Sequence, residues 1–307
     1  MNLPWHACHR FLALGVLALM SLSGAVRAQS IAADENKTLG LVSRMELRQD
    51  DLPFPQQALT QVGTQLADQL FKPEGDGPFP AVVLAQTCGA LQSEDLAVWV
   101  KAALARGLVV HVPNSLRGYK QNCFHPTPVT AKRRHKDLLD ASDALSRLPY
   151  VKPQQIFLIG FSQGAMYGAM LSSAKFVQAV KPGAQRFAGV VSLYGACFFD
   201  KGHVPGIPFG LRYLHRDLDR PFLALMSKGD VETPINGCDG FLAELKAQGK
   251  DVAWHVYDQA THCWDCKSLN GLKKKDTAGT AVEYRYDEAV TRDSIQRALD
   301  FIAARSR

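Results

Sequence analysis

The chain reads as an α/β protein built on a mostly parallel, doubly wound sheet flanked by helices. Two observations predict this. From about residue 64 onward, short apolar runs alternate with helical stretches, the pattern of strands connected by crossover helices. Several of those runs are continuously apolar, as "AVVLAQ" (81–86) is, which suits strands buried on both faces.

The elements follow in order. "TQLADQLF" (64–71) alternates like an early antiparallel strand, and "KPEGDGPFP" turns the chain into "AVVLAQ". "SEDLAVWVKAALARG" predicts a helix with Ser93 as cap, acidic residues in its first turn and Gly107 as its stop. "LVVHVP" is the next strand. The long loop "NSLRGYKQNCFHPTPV" precedes a helix from about 131 to 148, and "QIFLIG" follows as a strand. "FAGVVSLYG", "PFLALMSKG" and "DVAWHVYD" are further strands, with "DGFLAELKAQG" as a helix. The closing helix, "DEAVTRDSIQRALDFIAAR", repeats Ala289, Ile295, Leu299 and Ile302 at helical spacing. With no internal repeat, low-complexity tract or interdomain linker, residues 29–307 read as one domain.

Residues 1–28 stand apart. Arg10 precedes the uncharged run "FLALGVLALMSLSGAV", which ends at Val26-Arg27-Ala28 with small residues where a signal peptidase reads. The run falls short of the roughly 20 residues that cross a bilayer, so it predicts a cleaved signal peptide and an exported protein, periplasmic or secreted, with no stable membrane insertion. Losing Arg10 and Arg27 takes the formal charge from +6 to +4. So small an excess argues against a nucleic-acid partner. The one basic run, Lys273 to Lys275, reads as a solvated loop.

Of seven cysteines, Cys8 leaves with the leader. The remaining Cys88, Cys123, Cys197, Cys238, Cys263 and Cys266 suggest disulfides in an exported protein, although spacing alone does not select among the pairings. A competing reading gives Cys263-Trp-Asp-Cys266 and His262 to zinc or to thiol exchange. An oxidising compartment favours the disulfide, and no metal or cofactor is assigned.

The chemistry centres on Gly160-Phe161-Ser162-Gln163-Gly164, a G-x-S-x-G pattern entered by a buried strand and left by the small-residue run "GAMYGAMLSSA". A strand that turns abruptly into a helix strains its central residue, and side chains at the flanking glycines would collide with backbone. Ser162 gains an exposed hydroxyl at a helix N-terminus. It needs a base, and His262, just beyond the last strand, stands at the sheet edge where ligands bind in open parallel sheets. His111 and His255 fall within strands, and His125, His135, His203 and His215 lack this placement. Asp230, at the end of "FLALMSKGD", is the matching carboxylate. Asp258 follows the same strand as His262, and Asp217 and Asp219 precede theirs, at the wrong edge. The oxyanion donors are the N–H of Gln163 and, from the loop after "AVVLAQ", that of Cys88, with Thr87 next. Arg117 and Tyr119, in the loop after "LVVHVP", are candidate substrate contacts through bidentate recognition of a carboxylate, or anchors of their own loop.

Serine, acid and histidine in this order resemble the α/β-hydrolase superfamily, and within it the dienelactone hydrolase family, over about residues 64 to 305. "AVVLAQTCGAL" resembles the family's strand and oxyanion loop, "VKPQQIFLIGFSQGA" its approach to the nucleophile, "ATHCWD" its histidine segment and "YDEAVTRDSIQRALDFI" its closing helix. The chain departs from dienelactone hydrolases proper in having serine rather than cysteine as nucleophile, and Thr87 where they have glutamate. The resemblance implies an α/β-hydrolase fold and hydrolysis of a small or medium carboxylic ester or lactone through an acyl-enzyme on Ser162, without cofactor. Acyl transfer, peptide hydrolysis and a non-catalytic binding role on the same fold are the alternatives. The superfamily's strand order also implies bridges Cys88–Cys123 and Cys197–Cys238, leaving Cys263–Cys266 as a local pair. Oligomeric state is left open, as is whether 266–285 forms a lid.

Overall fold

The computed structural model describes residues 69–89, 93–115, 131–200, 210–276 and 279–306. Residues 1–28, expected to be a signal peptide, and Arg117, Tyr119, Cys123, His125 and His203 lie outside them.

Seven strands form the central sheet: β1 (Gln69–Phe71), β2 (Phe79–Ala85), β3 (Val109–Val112), β4 (Val151–Phe161), β5 (Val190–Leu193), β8 (Phe222–Ser227) and β9 (Val252–Tyr257). Their order is β1-β3-β2-β4-β5-β8-β9. Only β1 runs antiparallel, pairing Leu70 with His111, as its alternating sequence predicts. Every other pairing is parallel. Two short hairpins lie apart from the sheet: β6 (Phe198–Phe199) with β7 (Leu211–Arg212), and β10 (Lys273–Lys275) with β11 (Ala281–Glu283).

Helices cover both faces. α1 (Ser93–Ala105) and α6 (Glu288–Ala303) pack on one. α2 (Ala131–Ser146), α3 (Gln163–Leu171), α4 (Ala174–Val180) and α5 (Cys238–Ala247) pack on the other. The strand pleat sorts the core accordingly: Val82 and Leu84 of β2 join Leu96, Trp99, Leu299 and Ile302, while Ala81, Val83 and Ala85 join Leu139, Leu145, Met170 and Leu242. Burial on both faces explains why β2, β4, β5 and β8 lack polar alternation.

Most elements fall where the sequence places them. The run "GAMYGAMLSSA" covers α3 but not α4, which the sequence reading omitted. α4 opens on Ser173, whose hydroxyl accepts the Phe176 N–H at 3.1 Å. The solvated loop expected at Lys273–Lys275 is instead strand β10. His111 and His255 lie in β3 and β9, as their strand patterns indicate.

The central strand carries the fold. Truncating its fully buried Phe157 to alanine should cost about 3–5 kcal/mol. Truncating the half-exposed Val98 on α1 should stay within about 0.5 kcal/mol. Urea midpoints at constant m-value measure both.

Candidate active site

The sheet ends its parallel strands at one edge, and three of those ends converge. β4 runs into Ser162, β8 into Asp230, and the loop after β9 into His262. Ser162 adopts φ 52° and ψ −116° between β4 and α3, a conformation that L-residues rarely take. The turn is this tight because the flanking glycines permit close approach: a Cβ on Gly160 would sit 2.4 Å from Gly164 O, and one on Gly164 2.1 Å from Ala85 O. α3 therefore begins directly against the end of β2, which brings the elbow beside the Gln86–Cys88 loop.

The three side chains form one chain of hydrogen bonds. Ser162 Oγ lies 2.9 Å from His262 Nε2, and His262 Nδ1 lies 2.8 Å from Asp230 Oδ2. All three are buried. Asp230 Oδ1 accepts the backbone N–H groups of Glu232 and Thr233, each at 2.9 Å, so the carboxylate is held as an acceptor. That fixes the tautomer: Nδ1 carries the proton and donates to Asp230, leaving the Nε2 lone pair to accept the Ser162 hydroxyl.

Thr233 completes the arrangement. Its Oγ1 lies 2.7 Å from Asp230 Oδ2, 2.9 Å from the Tyr194 carbonyl and 3.2 Å from His262 Nδ1. The Tyr194 ring packs edge-on against His262, with centroids 5.0 Å apart. Its hydroxyl donates to Asp265 at 2.8 Å, and the Trp99 indole N–H donates to the same carboxylate at 2.8 Å. Asp265 is fully enclosed, and burial raises its pKa against those two donors.

Arg134, near the start of α2, supports the oxyanion side. Its guanidinium donates to the carbonyls of Gln86 (2.9 Å) and Thr87 (3.2 Å) and to the Gln163 side-chain oxygen. The peptide that points Thr87 C=O at the arginine points the Cys88 N–H the opposite way within the same plane. One buried cation thus holds the two segments expected to donate to an oxyanion. The sequence reading missed it, although a signal existed: Lys132, Arg133 and Arg134 crowd a helix N-terminus, where the macrodipole disfavours cations.

Segment 266–285 is described except for residues 277 and 278, and forms a 3₁₀ turn (Lys267–Leu269) followed by the β10–β11 hairpin. The hairpin is no solvated appendage. Lys274 is largely buried and pairs with Glu232 at 2.8 Å, while Tyr284 donates to the same carboxylate at 2.8 Å and packs against His262. A charge run of this kind is usually solvated; here Glu232 draws the middle lysine inward.

Cys263 and Cys266 are bonded to each other, as are Cys197 and Cys238. Cys88 is disulfide-bonded too, and its expected partner Cys123 lies outside the described residues. A bonded Cys263–Cys266 pair has no thiolate free to ligate a metal. His262 moreover directs its two nitrogens at Ser162 and Asp230.

Electrostatics prepare the pair. Burial is the largest single influence on His262 and favours its neutral form. The charge and hydrogen bond of Asp230 outweigh it, with Glu232 assisting and Lys274 opposing, so the His262 pKa lies above its ordinary value. Burial likewise disfavours Asp230 as an anion, but the His262 charge and hydrogen bond hold its pKa below the usual carboxylate range. Together these groups can pass a proton from Ser162 to His262 while Asp230 stabilises the imidazolium.

A parallel sheet of this order, a strained serine elbow and a serine–histidine–aspartate relay at the strand ends define an α/β-hydrolase. A model of the dienelactone hydrolase family matches residues 66–306. The chain belongs to that family and, with serine at the elbow, is a serine hydrolase of it. Solved structures agree in fold. A protein designated a dienelactone hydrolase from Klebsiella pneumoniae has a TM-score of 0.57 at 19% identity, covering 76% of this chain and 91% of that one. Thermogutta terrifontis esterase 2 with propionate bound has a TM-score of 0.56 at 13% identity, covering 77% and 88%. The same esterase phosphorylated by paraoxon has a TM-score of 0.56 at 14% identity, covering 76% and 87%. A search of curated proteins returns no significant match.

Replacing Arg134 by methionine removes the donor from two loop carbonyls and from Gln163. Phosphonylation of Ser162, followed as the rate of labelling by a fluorophosphonate with loss of fluoride, should slow by about 10²-fold, comparable to loss of one oxyanion donor. Lysine at this position, a point charge without the fork, should recover only part of the rate.

Proposed function

We propose that this protein is an exported serine esterase that cleaves small or medium carboxylic esters or lactones. The observation that carries the reading is the continuous relay from Ser162 through His262 to Asp230, at 2.9 and 2.8 Å, on a strained elbow. His262 Nε2 takes the Ser162 proton as Oγ attacks the carbonyl carbon. The tetrahedral oxyanion faces the N–H groups of Gln163 and Cys88. His262 returns the proton to the departing alkoxide, which leaves as the alcohol. Water, deprotonated by the same nitrogen, then releases the acid and restores Ser162.

Three further points support the reading. The Thermogutta esterase holds propionate in one structure and is phosphorylated by paraoxon in another, so this fold accommodates short acids and electrophilic phosphorus. The disulfides at 197–238 and 263–266 suit an oxidising compartment, which favours export with residues 1–28 as a cleaved signal. Thr87 stands where the family has an oxyanion-loop glutamate and Ser162 where it has cysteine, so hydrolysis carries over while the lactone for which the family is named does not.

Fluorophosphonate should label Ser162 in the folded protein, and Ser162→Ala should abolish labelling and reduce p-nitrophenyl ester hydrolysis by about 10⁴-fold or more. Absence of labelling, or equal hydrolysis by the alanine variant, removes the enzyme reading. Activity with acyl acceptors in preference to water identifies a transferase. A series of p-nitrophenyl acetate to octanoate, run beside aliphatic lactones, sets the acyl size.

The pH dependence has a definite sign. His262 acts as base only when neutral, and its pKa is raised, so kcat/KM should climb through a midpoint above the ordinary value of about 6.5. The stability contributed by the charged pair runs the other way. Its histidine share is complete below about 6.5 and is lost as pH rises through the raised value. The aspartate share is complete above about 4 and is lost as pH falls through the lowered one. Rate profiles and melting temperatures across pH 3 to about 9 separate the two trends.

A further inference from the structure

Glu232 lies on the reacting edge of His262. Its Oε2 is 4.0 Å from His262 Nε2, the nitrogen that exchanges protons with Ser162. Asp230, on the opposite edge, touches Nδ1. The base is therefore flanked by two carboxylates, one on each nitrogen. Both come from the single loop after β8 and are two residues apart.

Glu232 is not free to bind the imidazole directly. Its Oε1 accepts from Lys274 Nζ and its Oε2 from Tyr284 OH, both at 2.8 Å. Lys274 also lies over the Tyr284 ring, 4.8 Å from its centroid, and that ring packs 5.6 Å from the ring of His262. The hairpin β10–β11 thus brings a cation and a phenol to clamp this carboxylate in place. Lys274 and Glu232 are both largely buried, so solvent screens their fields weakly.

We propose that Glu232 is a positioning residue for the general base: it stabilises the imidazolium from the Nε2 side, while Lys274 and Tyr284 restrain it from taking the Nε2 proton itself. An unrestrained carboxylate there would draw the Nε2–H away from the leaving alkoxide. One stripped of its charge would leave the imidazolium supported only by Asp230. The clamp keeps the field of the anion and removes its ability to compete as an acceptor. This inference rests on the reading that Ser162 is acylated, because only then does His262 become positively charged during turnover.

The groups facing His262 give the test its sign. They are Asp230 and Glu232 after β8, Lys274 on β10, Tyr284 after β11, Tyr194 after β5 and Ser162 at the elbow. Glu232 favours the charged imidazole and Lys274 disfavours it. Glu232→Gln should lower the midpoint of the acid limb of kcat/KM, and Lys274→Met should raise it, each by about half a pH unit or more. Both should reduce kcat by about tenfold, and the double variant should return the midpoint toward that of the wild type.

A merely structural clamp predicts otherwise, since both single variants break the same ion pair and would disturb the hairpin alike. Equal midpoints, or shifts in one direction, in variants that retain the wild-type melting temperature overturn the proposal. The His262 Cε1–H resonance, titrated by NMR in Ser162→Ala and in the two variants, reads the same coupling without turnover. If the wild type neither hydrolyses esters nor labels at Ser162, the esterase reading falls. Opposite NMR shifts would then still support the Glu232 coupling, and unmoved resonances would refute it.

Discussion

The strained turn at Ser162 is the constraint on which the rest of the site depends. A left-handed conformation at a non-glycine residue costs on the order of 1–3 kcal/mol, and it persists only where the surroundings over-determine it. Here they do. β4 is the longest strand, its Ile156 to Phe161 segment is fully buried, and it pairs on both sides with parallel neighbours. The Ser162 N–H donates to Leu193 O and its carbonyl accepts from Met166, so the elbow is tied into β5 and α3 at once. With the serine so placed, the base and acid have little freedom: only the ends of β8 and β9 lie at the same edge on the far side of β5.

A second buried layer holds the imidazole ring. Asp265 gathers the hydroxyl of Tyr194 and the indole N–H of Trp99, two groups from opposite sides of the sheet's order. Tyr194, itself at positive φ, presents its ring to His262 and its carbonyl to Thr233. His262 is thereby fixed through packing as well as through Asp230. A carboxylate with a raised pKa so near the site is here a structural acceptor rather than a second acid, because both its oxygens are engaged by donors that never reach Ser162.

The sequence made legible those parts of the site that follow from strand ends. G-x-S-x-G after a buried run locates Ser162, and the rule that ligands gather at the carboxyl ends of parallel strands selects Asp230 over Asp217, Asp219 and Asp258. It also selects His262 over the histidines inside strands. What stayed hidden depends on which loops touch. Thr233 is an ordinary polar residue three positions after Asp230 until the loop folds back on that carboxylate. Arg134 sits 28 residues before the serine and reaches Gln163 beside it because α2 begins at the active edge. Lys274 reads as solvated because a charge run usually is, and only the partner contributed by another loop reverses that. Periodicity reports which face of an element is buried. It carries no information about pairings between loops remote in sequence.

The disulfides show how such loop pairings are made durable. In the chain-entropy account, closing the 41-residue separation of Cys197 and Cys238 is worth about 4 kcal/mol, and closing the three-residue separation of Cys263 and Cys266 about half that. The long bridge therefore acts chiefly on the unfolded chain, tying the segment after β5 to the start of α5. The short bridge does less there, and its further effect is local. It spans the residues directly after His262, and Cys263 itself holds φ 58°, a left-handed conformation that a cysteine would otherwise leave. Holding Cys263 there keeps the chain turning away beneath His262, so that Trp264 and Asp265 enter the core while the imidazole stays directed at Ser162. The unusual backbone conformations at Ser162 and at Cys263 are thus stabilised by different means: that of Ser162 by sheet and helix packing, that of Cys263 by a covalent link.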